Sequence, residues 1–174
     1  SVVAMAAIVL GGGIWSMHFV AMLGLQLPIP FYYDPVVTLI SALLAILVVG
    51  LGLIVLHFRN RTPATITAAG LIVGAGILAM HYTGMAGMQA CRAEYTAGGL
   101  ILAVTTSLAL STLAVWIAYW ERTRRNVLLG TLCFATAVVA LHYIAIWNTR
   151  FFEAPLPEFD LLLGNEALAL VVTL

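Results

Sequence analysis

Five long apolar runs, each of about the 20 residues that cross a bilayer as a helix, dominate this 174-residue chain. They cover roughly Val2–Leu25, Pro35–Leu56, Pro63–Met88, Ala97–Tyr119 and Asn126–Trp147, and a sixth begins near Glu166 and is cut short. Lipid offers no hydrogen bonds, so a spanning backbone must satisfy itself as a helix or a closed barrel. Runs of this length without alternation are helices. The expected fold is all-α: a polytopic transmembrane bundle of helical hairpins with five full spans and a truncated sixth. Composition agrees, because a chain 63% apolar and 8% charged cannot cover itself with polar surface in water. Membrane lipid is therefore an expected partner. With a formal net charge of zero and no basic patch, nucleic acid is not.

Orientation follows from the arginines. One set of connections holds Arg59, Arg61, Arg122, Arg124 and Arg125, with Glu121 as its acid. The opposite set holds Asp34, Glu94, Glu153, Glu158 and Asp160 with Arg92 and Arg150. An excess of arginine marks the cytoplasmic side, so the first set is expected there. Trp116, Tyr119 and Trp120 read as an interfacial belt beside the basic cluster, and Tyr32, Tyr33, Trp147 and Phe151 as its counterpart on the far side. The chain starts inside one apolar run and stops early in another, so it reads as part of a longer membrane protein. Its first run lacks the basic flank and cleavage site of a signal peptide.

Three stretches align: Gly13-Ile14-Trp15-Ser16-Met17-His18-Phe19-Val20-Ala21-Met22, Gly76-Ile77-Leu78-Ala79-Met80-His81-Tyr82-Thr83-Gly84-Met85, and Val138-Val139-Ala140-Leu141-His142-Tyr143-Ile144-Ala145-Ile146. The histidines recur about every 62 residues, one helical hairpin per repeat, giving units of about 1–57, 63–120 and 126–174 within a single domain over 1–174. Each lies on an outward-running helix, 8 to 10 residues before the outer loop, which is roughly 12–15 Å below the helix end. Three imidazoles are thus expected at one depth in the outer leaflet.

Histidine inside a membrane is costly without a partner. On a helix His81, Met85 and Met88 share a face, as do His18 and Met22, while Met17 and Met80 sit about 100° around. Imidazole with thioether suits copper, above all cuprous ion, and imidazole also binds haem iron. The bland alternative is that the histidines hydrogen-bond across the bundle while methionine fills gaps. Cys91 is either a further ligand from the outer loop or a small apolar residue. Cys133 reads as packing, and His57 as an interfacial side chain. Gly11–Gly13, Gly70, Gly74 and Gly76 read as places where helices approach closely. The last outer loop, about Asn148 to Asn165, is long enough to cover the site.

Met80-His81-Tyr82-Thr83 spells the signature of the bacterial MHYT domain, and Trp15-Ser16-Met17-His18-Phe19 and Tyr33-Asp34-Pro35 resemble that family too. The resemblance covers essentially the whole chain. It implies an integral membrane sensory domain of seven helices, of which this chain would lack the first and most of the last. It also implies a role in sensing oxygen, carbon monoxide or nitric oxide through bound copper, placed before cytoplasmic GGDEF or EAL output modules. Carried over by position, the implied ligands are Met17, His18 and Met22, then Met80, His81 and Met85, and lastly His142, with Met88 and Cys91 as possible additions. The third copy departs from the pattern at Leu141 and Ile146.

The reading is therefore a signal-input domain of the bacterial inner membrane, not itself an enzyme. Its His/Met copper centre faces the periplasm and relays gas or redox state to an output module, with a homodimer possible. The rivals are a haem-binding electron carrier, a metal-transporting protein, and a structural anchor or dimerisation module.

Overall fold

The computed structural model describes residues 2–155 and 162–173. Five helices cross the full length of the molecule: α1 (Val2–Leu23), α2 (Pro35–Phe58), α3 (Pro63–Ala86), α4 (Ala97–Trp120) and α5 (Arg124–Trp147). A short α6 (Asn165–Thr173) follows. All five are long and apolar enough to span a membrane, and the fold is the expected all-α bundle.

The starts of α2 to α5 are written in the sequence. Side-chain oxygens of Asp34, Thr62, Thr96 and Thr123 accept from the backbone N–H three residues on, capping α2, α3, α4 and α5. Pro35 and Pro63 occupy first-turn positions where no N–H is needed. Arg124, two residues ahead of the expected start, opens α5 because Thr123 is the cap.

Neighbouring helices pack in chain order, α1 on α2, α2 on α3, α3 on α4 and α4 on α5, while α1, α3 and α5 also meet one another. The alternate helices thus form the centre. Glycines set the closest approaches. A Cβ at Gly70 would lie 2.5 Å from the Thr112 Cα of α4, and one at Gly11 would lie 2.6 Å from the Ile46 Cα of α2. Gly74 and Gly76 pack less tightly, with a Cβ 3.0 Å from the Ser107 carbonyl and 3.1 Å from Val48. Gly12 and Gly13 correct the expectation, because a Cβ there meets nothing within 4 Å. They lie beside Gly11 in sequence but on other faces of the helix.

The outer connections are more ordered than the expected loops. β1 (Tyr32–Tyr33) pairs antiparallel with β2 (Met88–Gln89), and β3 (Cys91–Tyr95) pairs with β4 (Thr149–Glu153). Leu163 bridges Tyr33 through two backbone hydrogen bonds of 2.9 and 2.8 Å. Two readings change here. Met88 was expected on the His81–Met85 helical stripe, but α3 ends at Ala86, and the Gly87 carbonyl accepts from the Asp34 N–H at 2.8 Å. Met88 is therefore a strand residue opposite Tyr33. Tyr33 was expected at the interface, yet it is fully buried, whereas Trp147 is 90% exposed as a belt residue should be. Of the long last loop, Pro157, Glu158 and Asp160 lie outside the described residues.

Candidate metal centre

His18 comes from α1, His81 from α3 and His142 from α5, each five residues from the outer end of its helix, about 7 Å and shallower than the expected 12–15 Å because the helices end at Leu23, Ala86 and Trp147. Because those three helices meet, equal depth becomes contact. All three rings are buried. The Nδ1 of His18 lies 3.2 Å from the Nδ1 of His142 and 3.2 Å from the Nδ1 of His81. Ring centroids are 4.9, 5.1 and 5.5 Å apart, with every pair of planes near perpendicular.

Hydrogen bonding alone satisfies this arrangement poorly. Each ring nitrogen has one in-plane site, holding either a proton or a lone pair. His18 Nδ1 faces two other Nδ1 atoms, so it must share its single site between two neighbours. The Nε2 atoms of His18 and His81 are also buried, with no hydrogen-bond partner among the described residues. A cation resolves the Nδ1 conflict, since three lone pairs can then point at one centre. One candidate ligand atom from each histidine lies within 4.8 Å of the others. At a metal–nitrogen distance of about 2.0–2.1 Å, tetrahedral ligand nitrogens sit about 3.3 Å apart, close to the two observed separations. The donor set fits a metal ion that accepts imidazole.

The sulfur atoms divide into two groups. Met80 is buried with Ile14, Ile77 and Leu141 in the inner core, and Met17 packs against that cluster. Met22, Met85, Met88 and Cys91 lie with Phe19, Tyr33 and Leu168 in a separate cluster toward the outer strands. Met22 and Met85 follow their histidines by four residues, which places them about 6 Å further out along the helix. Leu141, where a methionine was expected, fills the inner core beside Met80.

The outer cluster is buried, and its Phe19 meets the His18 ring edge-on. Burial, then the neighbouring Cys91, pushes the Tyr33 phenol well above its ordinary range, and its hydroxyl has no partner among the described residues. Burial also raises the Cys91 thiol. Cys133 stays apart, its thiol 3.7 Å from the Leu110 carbonyl in the α4–α5 seam, and exposed His57 has its ring contact with Phe58. Both cysteines are free.

Two contributors were not singled out from sequence. A Cβ on Gly84 would lie 2.8 Å from His18 Nε2, so the absence of a side chain there admits the ring. The signal was available: three residues after the histidines stand Ala21, Gly84 and Ala145, all small. Trp15 is the second. Its indole N–H lies 3.2 Å from both the Thr38 carbonyl and the Ser41 hydroxyl of α2, fixing α1 one turn below His18. Asp34 has a double role, since it caps α2 while its N–H ties that cap to Gly87 at the end of α3.

A family model described as "MHYT: Bacterial signalling protein N terminal repeat" matches residues 11–70 and 74–131, most of the chain. His142 falls beyond the second match. Two relatives come from Pseudomonas aeruginosa. The bifunctional diguanylate cyclase/cyclic di-GMP phosphodiesterase MucR is 37% identical over 159 residues, 88% of this chain and 23% of that protein. The cyclic di-GMP phosphodiesterase NbdA is 33% identical over 144 residues, 79% of this chain and 18% of that protein. The chain thus spans a quarter or less of the curated relatives it matches. No solved structure matches it.

Proposed function

This chain belongs to the MHYT family of bacterial signalling proteins, and from that premise we propose that it is a metal-dependent signal-input domain of the inner membrane. The family is a non-catalytic signalling repeat, and membrane-length helices in a bacterial family support the inner membrane as its place. The observation that carries the reading is the buried convergence of His18, His81 and His142 from three different helices.

The proposed ligands are the three Nδ1 atoms, and copper is the proposed metal because the surrounding donors are thioethers. Met17 and Met80, which belong with the inner core, and Met22 and Met85, in the outer cluster, are proposed as thioether ligands, with Met88 and Cys91 as possible additions. Bound there, copper would supply a centre that a diatomic gas or an electron can alter. The protein's own part is to hold three imidazoles on three helices, so any change in preferred ligand geometry bears on how α1, α3 and α5 sit together. Phe19, Tyr33 and Leu168 keep bulk water from the outer side. A stimulus shifts this equilibrium only through differential affinity for the two helix arrangements. The arginine-bearing connections are proposed to face the cytoplasm, with the histidines toward the periplasm. By likeness to the two relatives, the output is proposed to be a cytoplasmic cyclic di-GMP enzyme. Haem is less well supported, since three imidazoles converge here on one another, 3.2 Å apart at Nδ1, where a haem would be held by one or two.

A second reading, metal movement across the membrane, draws on the outer sulfur cluster, which places soft donors at a second depth. Uptake of cuprous ion into sealed vesicles that contain the protein would favour it over sensing.

The test is metal content with an optical spectrum on the purified protein and its H18A/H81A/H142A variant, with circular dichroism as the check on folding. Stoichiometric copper in the parent and none in a folded variant is the expected result. A Soret band would replace copper with haem. A parent that stays metal-free after exposure to cuprous ion would overturn the metal reading.

A further inference from the structure

The rings of His18, His81 and His142 are all buried, so no molecule dissolved in water touches them directly. An electron that reaches a metal held between them must cross protein. A line of rings leads outward from His81. Its imidazole meets Tyr82, the next residue of α3, at 5.0 Å between centroids, and Tyr82 meets Tyr95 of β3 at 5.0 Å. Both pairs stand edge to face, at interplanar angles of 87° and 89°, the geometry of aromatic rings in contact.

The two contacts have different origins. Tyr82 adjoins His81 in sequence, and such a neighbour contact follows from the helix alone, as it does for His57 and Phe58. The contact of Tyr82 with Tyr95 joins a helix to a strand and depends on the tertiary fold. Tyr95 pairs with Thr149 across the β3–β4 ladder, and the Thr96 N–H beside it donates to the Asn148 carbonyl at 3.3 Å. Its ring is 39% exposed, where α4 begins and α5 ends, whereas α6 packs on α1. Neither of the other histidines is served as well. From His18 the line runs through Phe19, Tyr33 and Phe31 in steps of 4.8, 5.5 and 5.9 Å, and Tyr33 in its middle is fully buried. From His142, Tyr143 at 5.2 Å meets no further ring among the described residues.

We propose that Tyr82 and Tyr95 are the electron path between the histidine centre and a water-soluble one-electron donor on the outer side. The inference rests on the metal reading and adds how an oxidised centre is reset. The donor gives up one electron, and the cupric ion held by the histidines takes it up to become cuprous. No bond forms or breaks. Both phenols keep their protons and serve as neutral rings, because π orbitals lie closer in energy to a tunnelling electron than the σ bonds of an aliphatic side chain do.

The experiment has two readouts on the full chain in detergent. Metal-free protein is iodinated by lactoperoxidase, an enzyme too large to enter the bundle, and the labelled tyrosines are located by mass spectrometry. Tyr95 should carry label, and its absence there would overturn the path's outer end. Copper-loaded protein is then mixed with hexaammineruthenium(II), a one-electron donor confined to water, and loss of the cupric absorbance is followed by stopped flow. Y82L/Y95L should slow reduction about tenfold, about 1.4 kcal/mol in the barrier, while Y82F/Y95F keeps the parental rate. Y95L alone changes no residue next to a histidine, and it should also slow reduction if Y82L disturbs copper uptake. A parental rate in the copper-loaded leucine variants would overturn the proposal, as would equal slowing in the phenylalanine variant. Copper content separates the two readings. A parent that takes up no copper overturns both, whereas full copper with ring-independent reduction overturns the electron path alone.

Discussion

Gly84→Ala isolates the geometry of the histidine cluster from its chemistry. The added methyl would sit 2.8 Å from His18 Nε2 and 3.2 Å from its Cδ2, and reaching an ordinary 3.4 Å contact requires a displacement of about 0.6 Å. The His18 ring cannot swing freely, because its other nitrogen already lies 3.2 Å from two neighbouring imidazoles and Phe19 packs edge-on at 4.8 Å between centroids. Overpacking of this kind costs on the order of 1–3 kcal/mol. Replacing a helical glycine recovers at most about 1 kcal/mol, and Gly84 stands in the last turn of α3. Net destabilisation should therefore fall between about 0 and 3 kcal/mol. Metal binding should suffer more, because ligand sets tolerate errors of only about 0.5 Å. We expect cuprous affinity to drop at least tenfold, about 1.4 kcal/mol, in competition with a coloured chelator. Gly13→Ala is the control, since its methyl meets nothing within 4 Å and leaves the site alone. Parental affinity in Gly84→Ala, or an equal loss in Gly13→Ala, would refute the argument that His18 is positioned by the missing side chain.

The remaining expectations concern the frame around the site. Gly70→Ala forces a methyl to within 2.5 Å of the Thr112 backbone, where nothing flexible can yield, and should lower stability by about 2 kcal/mol or more in a detergent melt. Tyr33→Phe removes a buried hydroxyl without a partner among the described residues, and should leave stability unchanged or raise it by about 1 kcal/mol. A clear loss would show that the hydroxyl is bonded. Burial, with help from Tyr82 and Cys91, lifts the Tyr95 phenol to about 12. The folded form therefore holds that proton more tightly than the unfolded chain. Its contribution is complete below about pH 10 and is lost as pH rises toward 12, and Tyr95→Phe should flatten the melting temperature over that window.

What could be read along the chain was what depends on local composition. The spans were legible because about 20 apolar residues suffice to identify a crossing whatever they later touch. The starts of α2, α3 and α4 at Pro35, Pro63 and Ala97 follow from the apolar runs, whereas α5 starts two residues before its run, at Arg124, because the cap Thr123 acts on its own first turn. The common depth of His18, His81 and His142 followed from the repeat and the fixed rise of a helix. Tertiary structure alone decided whether equal depth meant contact, since that depends on which faces α1, α3 and α5 turn toward one another. Those faces are set by close approaches between residues far apart in sequence, such as Gly70 on Thr112 and Gly84 on His18. The same dependence split the methionines between inner and outer clusters and moved Met88 from a helix to a strand. It also buried Tyr33, because an aromatic residue at a span end faces lipid or the core according to the pairing of strands that no local signal announces.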